Sequence, residues 1–163
     1  MAYSINSEGV KNLAELSNKY NIRLIHISTD SVFDGIKGHY NENDLPNPIN
    51  TYGKSKEIGE NHVRNIHKNH VIIRTNFFGF HKDGKFLLNS IIKTLSEKKE
   101  FNGFSDVFFN PLEIINLNQL IIELSNTDFT GIINLASNKI ISKYQFALDV
   151  ARIFRSEEHT SEL

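Results

Sequence analysis

The sequence predicts an α/β protein built on a mainly parallel sheet, and three observations support this class. Short aliphatic runs typical of buried strands occur at residues 23–28, 71–75 and 131–135. Stretches with apolar side chains at helical spacing lie between and beside these runs. Glycines and prolines interrupt the chain between most of the segments. Since strands that alternate with helices favour parallel pairing, we expect the strands to share one sheet.

The first half of the chain contains two predicted helices around the first two strands. An apolar stripe predicts a helix over residues 7–20, ahead of the first strand. Residues 29–50 form a long connection, and a loop of that length in a compact domain is usually functional. A second helix is predicted over residues 51–66. Its inward-facing side chains are predicted to be Ile58, Val63 and Ile66.

The second half contains three further predicted helices. Two are indicated by apolar side chains at helical spacing, namely Leu88, Ile91, Ile92 and Leu95 in one helix and Leu117, Leu120, Ile121 and Leu124 in the other. Between them, residues 107–109 are a strand candidate that Pro111 ends. After the strand at 131–135, Ser142 is predicted to be the N-cap of the last helix.

Composition excludes several classes of function. The chain has 163 residues, enough for one domain with a core, and a formal net charge of -1. No basic stripe stands out, so we expect no nucleic-acid partner. Cysteine is absent, which excludes a disulfide framework and a thiolate metal site. No apolar run approaches the ~18 residues of a membrane span. Without a secretory signal at its start, the protein is expected to be cytoplasmic and free of the membrane.

Histidine spacing gives no sign of a metal site, and we predict none. The seven histidines are His26, His39, His62, His67, His70, His81 and His159.

The strongest functional signal is Tyr52 four residues ahead of Lys56, which places both side chains on one face of a helix. A cation there makes the phenol a better acid. Ser28 and Thr29 stand at the end of the first strand. The residues at the end of the second strand are Thr75, Asn76 and Phe77. Because ligands bind beyond the carboxyl ends of parallel strands, all these groups are expected at one edge of the sheet. A hydroxyl, a tyrosine and a lysine can move a proton at a carbonyl oxygen while a cofactor moves a hydride.

Several motifs occur in a fixed order along the chain. They are Ser-Thr-Asp-x-Val-Phe-Asp-Gly at 28–35, Glu-x-Asp at 42–44, Pro-x-Pro at 46–48, Tyr-Gly-Lys-Ser-Lys at 52–56, Gly-Glu at 59–60 and Ile-x-Arg-Thr at 72–75. Over about residues 3–154 the chain resembles the extended short-chain dehydrogenases/reductases, in particular the dTDP-4-dehydrorhamnose reductase-like sugar-nucleotide group. The resemblance implies a partial Rossmann-like, doubly wound parallel sheet plus part of a smaller substrate-binding region.

The resemblance also implies an activity and residue roles. The expected reaction is the reduction of a 4-keto-6-deoxy sugar nucleotide by NADPH or NADH, in deoxysugar and polysaccharide biosynthesis. Thr29, Tyr52 and Lys56 are the implied catalytic residues. Thr29 would bond the carbonyl oxygen, Tyr52 would donate a proton, and Lys56 would assist it. The implied cofactor-binding residues are Ser28, Tyr52, Lys56, Thr75 and Asn76. Thr29 and Phe77 are the implied substrate-binding residues, and the family pattern allows a homodimer.

Four other polar residues carry weaker expectations. Asn6 matches either the helix asparagine that orders active-site water in this superfamily or a helix cap. Glu42 and Asp44 are expected to cap the loop rather than bind a metal. Ser31 stands where related dehydratases carry an acidic residue, which argues against water elimination.

Besides Ser31, the chain departs from the family pattern in the substrate half. Residues 106–112 read Asp-Val-Phe-Phe-Asn-Pro-Leu, where the reductases carry Asp-Gln-x-Gly-x-Pro-Thr. Phe109 therefore stands in place of a glycine and is expected to reshape the substrate pocket. The nucleotide and the sugar stay open.

Two alternative functions remain at this stage. A sugar-nucleotide epimerase would use the same groups and keep its cofactor bound. A non-catalytic regulatory subunit, like that of methionine adenosyltransferase in the same family, would bind a dinucleotide and a protein partner. The intact set of Thr29, Tyr52 and Lys56 favours catalysis.

The chain is expected to be incomplete at both ends. The family's Gly-x-x-Gly-x-x-Gly motif is not found, so residues 1–154 are predicted to be an incomplete NAD(P)- and substrate-binding domain. Residues 155–163 resemble a translated sequencing adapter and are predicted to be a non-native tail. We expect the fragment by itself to be inactive.

Overall fold

A computed structural model describes residues 1–84 and 86–160, with side chains described as far as residue 154. The helices are α1 (Val10–Lys19), α2 (Thr51–Ile66), α3 (Leu87–Ser96), α4 (Ile114–Ser125) and α5 (Lys143–Thr160). The strands are β1 (Leu24–Thr29), β2 (His70–Thr75), β3 (Phe77–Phe78), β4 (Phe108–Phe109), β5 (Leu112–Glu113), β6 (Gly131–Leu135) and β7 (Ile141–Ser142). The fold divides into two compact units.

The first unit comprises Met1–Thr75 and Leu120–Leu135 and contains a three-stranded parallel sheet. Its strand order is β1-β2-β6, and β2 is buried along its whole length. The register pairs Thr29 with Thr75, so β1 and β2 end side by side. The α/β class and the parallel pairing of the three main strands are thereby confirmed.

Helices α1 and α2 cover this sheet through a small apolar core. Its buried members are Val10, Ala14, Val63 and Ile72. A wider, π-helical turn over Ser4–Gly9 leads into α1. It lies against Gly59 of α2, where a Cβ atom would overlap the carbonyl oxygen of Asn6.

The inner face of α2 differs from the predicted one. Val63 is buried as expected and Ile66 is half-buried, but Ile58 is exposed. The buried residues of α2 are Gly53, Ser55, Gly59, Glu60 and Val63. The buried face of α2 therefore consists of small residues and one carboxylate. Gly53 and Gly59 lie against Ser31 and Asn6, and of these buried residues only Glu60 bonds strand residues. The two glycines let the helix backbone approach these segments closely, and Ile58 lies on the exposed side of the helix.

The second unit comprises Asn76–Gln119 and the described residues from Ala136 onward. Its core contains Leu88, Ile91, Phe109, Phe146 and Ala147, where α3 and α5 pack together. Ser142 is confirmed as the N-cap of α5, because its hydroxyl accepts a hydrogen bond from the Gln145 N–H at 3.0 Å. The unit boundary falls within α4.

The strand predicted at 107–109 needs a correction. It forms β4, which pairs antiparallel with β7 in a separate two-stranded sheet rather than joining the main sheet. Three further strands, β3, β5 and β7, are not predicted from the sequence, because they have two residues each and are too short to show a period.

The predicted tail at 155–163 begins inside α5, whose helical backbone extends to Thr160. Residues 161–163 lie outside the described residues. Within the part of the chain that the structure describes, no helix combines the length and apolar character of a membrane span.

Gly59 is predicted to be required by the approach of α2 to the amino-terminal turn. In the natural gene product that carries this sequence, Gly59→Ala should lower the free energy of unfolding by about 1–3 kcal/mol, because the new methyl group overlaps backbone. Gly9→Ala is the matched control, since its Cβ would lie an unstrained 3.5 Å from the nearest atom. It should raise stability by about 0.5–1 kcal/mol. Chemical denaturation measures both, and an unchanged or raised stability in Gly59→Ala would contradict the account.

Candidate active site at the carboxyl edge of the parallel sheet

Thr29 lies at the carboxyl end of β1, where the chain leaves the sheet. Its hydroxyl accepts a hydrogen bond from the Ser31 N–H at 3.2 Å and donates one to the Asp30 carboxylate at 3.2 Å. It thereby caps the short 3-10 turn over Asp30–Val32. The residue is only 6% exposed, so its backbone and side chain are held in place.

Helix α2 begins beside this turn and presents Tyr52 in its first turn. Asn50 is the N-cap, and its side-chain oxygen accepts a hydrogen bond from the Gly53 N–H at 2.8 Å. A Cβ at Gly53 would overlap the carbonyl oxygen of Ser31. Glycine therefore lets the start of α2 lie against the turn that follows Thr29. Tyr52 is 50% exposed, so its phenol is accessible from solvent.

Lys56 lies one helical turn after Tyr52, as the spacing predicts. Its ammonium donates a hydrogen bond to the carbonyl oxygen of Ile27 at 2.6 Å, which ties α2 to β1. Burial lowers the pKa of Lys56, and the nearby Glu60 carboxylate acts in the opposite direction. The ammonium of Lys56 is therefore fixed in a half-buried position, where water screens its charge less than at the surface.

Glu60 and Arg74 form a buried ion pair that the sequence analysis did not single out. The shortest of its contacts joins Arg74 Nη2 to Glu60 Oε2 at 2.6 Å. The Ser28 hydroxyl also donates a hydrogen bond to Glu60 Oε1 at 2.5 Å. Ser28 was predicted to bind the cofactor, and in this structure its hydroxyl bonds Glu60. The sequence shows one charged residue in each of two neighbouring elements, but only the fold shows that Glu60 and Arg74 are paired and buried.

Thr75 ends β2 beside Thr29 and has a buried hydroxyl oxygen with no hydrogen-bond partner. Such an atom is rare in a folded protein and is a candidate contact for a ligand. Asn76 and Phe77 follow it in the second unit. The carbonyl oxygen of Asn76 accepts a hydrogen bond from the Leu112 N–H at 3.0 Å.

A cavity of about 330 Å³ lies within the second unit, and Asn76 and Phe77 form part of its wall. Phe77 is 49% exposed, so a face of its ring is free to contact a ligand. Phe109 also lines this cavity, with the Lys143 ammonium 3.3 Å from its ring centroid. That Phe109 reshapes a substrate pocket stays a prediction. Lys143, the first residue of α5, is not among the residues predicted from the sequence.

Three remaining predicted residues have structural partners. Asn6 is not a helix cap, because its side-chain amide donates to the Ser55 hydroxyl at 3.0 Å. Glu42 accepts a hydrogen bond from the Asn134 N–H at 2.8 Å, and Asp44 accepts one from the Asn41 N–H at 2.7 Å. Asp44 thus caps its own loop, as expected, whereas Glu42 ties the loop to β6 instead of capping it. Among the described residues, no three His, Cys, Asp or Glu side chains are grouped as a metal site would need.

Comparison with protein families now identifies the group. The sequence model of the RmlD substrate binding domain matches residues 1–162. The chain belongs to this family. It is 30% identical over 156 residues to a dTDP-4-dehydrorhamnose reductase from Aggregatibacter actinomycetemcomitans, a match that covers 91% of the chain and 53% of the relative. The chain therefore spans about half the length of the curated relatives it matches.

Solved structures agree with this membership. The dTDP-4-dehydrorhamnose reductase from Bacillus anthracis in complex with NADP aligns with a TM-score of 0.85 and 32% identity, over 91% of the chain and 53% of that protein. A relative of another kind is methionine adenosyltransferase 2 subunit beta from Xenopus laevis, which is 26% identical over 94% of the chain and 48% of its own length.

His26 is predicted to make the protein sensitive to acid. Burial, and then the Lys56 charge, lower the pKa of His26 from 6.5 to about 4. The unfolded chain therefore binds the extra proton between these values, so stability falls as the pH drops through that window. His26→Gln should reduce the difference between the melting temperatures at ~pH 7.5 and ~pH 5. His39→Asn, at an exposed histidine, is the control. An unchanged pH dependence in His26→Gln would refute the assignment.

Proposed function

We propose that the natural protein carrying this sequence reduces a 4-keto-6-deoxy sugar nucleotide with NADPH or NADH, within deoxysugar and polysaccharide biosynthesis. One observation carries the proposal. Tyr52 and Lys56 occupy the first two turns of α2, and the start of that helix lies against the turn that follows Thr29. The reductase names of the relatives support this reaction class. A cytoplasmic location and a homodimer stay predictions.

The residues at the carboxyl edge of the sheet fit the nicotinamide end of a cofactor. The Thr75 hydroxyl is buried without a partner at the carboxyl end of β2, where open parallel sheets bind their ligands. Lys56 brings a cation to the same edge, and we assign it to hydroxyl groups of the cofactor's ribose. The other proposed cofactor contacts are Asn76 and Ser28, whose hydroxyl bonds Glu60 in this structure. When bound, the cofactor supplies a hydride to the carbonyl carbon of the substrate.

Tyr52 is the proposed proton donor to the carbonyl oxygen. A free tyrosine has a pKa of ~10, so it needs a neighbouring positive charge to exchange a proton near neutral pH. Lys56 supplies that charge from the next helical turn. Thr29 is proposed to donate a hydrogen bond to the same oxygen as negative charge develops there. Its hydroxyl now bonds Asp30 at 3.2 Å, a long contact that a substrate oxygen could replace.

Phe77 is proposed to pack against the substrate. Its half-exposed ring in the cavity wall supports this assignment, since ligand sites are lined mainly by apolar and aromatic side chains. Phe109 lines the same wall, and its ring is proposed to leave less room for the substrate than a glycine at this place would. We therefore expect a substrate preference that differs from that of reductases with glycine at this place.

One alternative has an observation in its favour. The similarity to methionine adenosyltransferase 2 subunit beta supports a non-catalytic, partner-binding protein that keeps the same fold. Both readings use a bound dinucleotide, so cofactor binding alone does not separate them. Net conversion of a sugar nucleotide does.

Turnover by the natural gene product should depend on the Tyr52 hydroxyl. Tyr52→Phe is expected to lower kcat/KM by about 10²–10⁴-fold, because the proton donor is lost while the ring is kept. Tyr20→Phe, at an exposed ring 62% accessible, is the matched control. The assay follows cofactor absorbance with a panel of 4-keto-6-deoxy sugar nucleotides and identifies the product. Conversion without net cofactor oxidation would indicate an epimerase, and tight dinucleotide binding without conversion would favour the regulatory subunit.

The 163 residues alone are predicted to show no turnover. The chain spans about half the length of its relatives and carries no Gly-x-x-Gly-x-x-Gly run, so few groups remain to hold a dinucleotide. The same assay on the isolated chain tests this, with the natural gene product as the positive control. Measurable cofactor oxidation by the isolated chain would contradict the prediction.

A further inference from the structure

One carboxylate joins three elements of the first unit. The Glu60 carboxylate, on α2, accepts hydrogen bonds from the hydroxyl of Ser28 on β1 and from the guanidinium of Arg74 on β2. Arg74 Nε lies 3.1 Å from each carboxylate oxygen, and Nη2 lies 2.6 Å from one of them. Glu60 is 1% exposed and Arg74 is 3% exposed. Ser28 directly precedes Thr29, so the contact acts on the strand end that carries the proposed substrate hydroxyl.

An aromatic ring also packs against the guanidinium of Arg74. It lies 5.1 Å from the ring centroid of Phe33, in the long connection after β1. Phe33 stacks on Tyr40 with 4.4 Å between the ring centroids, and the Tyr40 hydroxyl donates to the Asp34 carboxylate. The connection that follows Thr29 is therefore anchored to the same ion pair.

Stability alone is a weak reason for such a pair. Taking two charges out of water is costly, and apolar replacements of buried pairs are often neutral or stabilising. One guanidinium nitrogen of Arg74, Nη1, is moreover buried without a hydrogen-bond partner. Burial of this pair beside the proposed catalytic residues suggests a role in their placement.

We propose that Glu60 is the positioning residue of the site: its carboxylate, held by Arg74, fixes the end of β1 at Ser28 and Thr29 relative to Tyr52 and Lys56 on α2. The inference rests on the proposed function. Glu60 touches neither substrate nor cofactor, so it acts through Ser28 and through its charge. Helix α2 carries Tyr52, Lys56 and Glu60 at intervals of four residues, on one face.

The charge of Glu60 also acts on Lys56. The ionisable groups that act on this lysine are Glu60 on its own helix and His26 on β1, and Arg74 on β2 is bonded to Glu60. Tyr52 is related to Lys56 by its spacing of four residues along the helix. Burial lowers the pKa of Lys56, and Glu60 raises it again. Replacing the carboxylate by an amide removes that second effect. The positive charge that Tyr52 needs would then be lost at a lower pH.

The first test compares Glu60→Gln with Glu57→Gln in the natural gene product. Glu57 lies on the same helix and outside the network, so its variant controls for the loss of a carboxylate. We expect Glu60→Gln to reduce kcat on the order of 10²-fold, as remote misplacement of catalytic groups does, with a smaller change in KM. We also expect the alkaline limb of its pH–rate profile to move to lower pH. Glu57→Gln should leave both unchanged.

The second test measures Lys56 directly and needs no activity. Titration of the lysine ¹³Cε signal by NMR, assigned with Lys56→Arg, should give a lower pKa in Glu60→Gln than in the unmodified protein. If the unmodified protein turns over no sugar nucleotide, the proposed function fails. An unchanged Lys56 pKa in Glu60→Gln would overturn the inference in an active or an inactive protein alike.

Glu60→Gln leaves Arg74 buried without its counter-charge, which is strongly destabilising, so a second variant keeps the inference testable. Glu60→Gln with Arg74→Met removes both charges, and the methionine can pack on Phe33. If circular dichroism shows that the double variant is folded, we expect its kcat and its Lys56 pKa to remain below those of the unmodified protein. A double variant with normal kcat and normal Lys56 titration would show a merely structural pair and overturn the proposal.

Discussion

The buried contact of Glu60 with Arg74 and Ser28 fixes where α2 lies on the parallel sheet. Two glycines make this contact geometrically possible. Gly53 lets the start of α2 lie against Ser31, and Gly59 lets the middle of the helix lie against Asn6. With the helix so close, Lys56 reaches the carbonyl oxygen of Ile27. The positions of the proposed catalytic groups thus follow from backbone approach first and from side-chain chemistry second.

The regular elements of the first unit could be predicted because their sequence patterns are local. Residues 71–75 are a continuous run of apolar and β-branched side chains around Arg74, and this segment is the buried central strand. Helix α2 begins and ends where its pattern indicates. Its inner face could not be read from the sequence, because Ile58 is exposed while Ser55 and Glu60 are buried. On this helix, contacts with other parts of the fold decide which side chains are buried, and the apolar character of the side chain does not. The two-residue strands β3, β5 and β7 carry no periodic signal at all.

The candidate site was predicted in part for a similar reason. Tyr52 and Lys56 are related by helical spacing, and Thr29 follows a recognisable strand, so local sequence and family resemblance were enough to select them. Glu60 and Arg74 belong to motifs quoted from the sequence, but nothing in the sequence pairs them with each other. Their burial depends on strand order and on the loop that brings Phe33 over the guanidinium. The lowered pKa of His26 has the same origin, since its burial is a property of the assembled sheet.

The central claim is that this edge of the sheet serves net reduction of a ketone. The most direct measurement incubates the natural gene product with a nicotinamide cofactor deuterated at the transferring position and a 4-keto-6-deoxy sugar nucleotide. The account predicts deuterium at the sugar carbon that carried the ketone, in an amount equal to the oxidised cofactor. A converted sugar without deuterium, or no conversion with the dinucleotide bound, would contradict it.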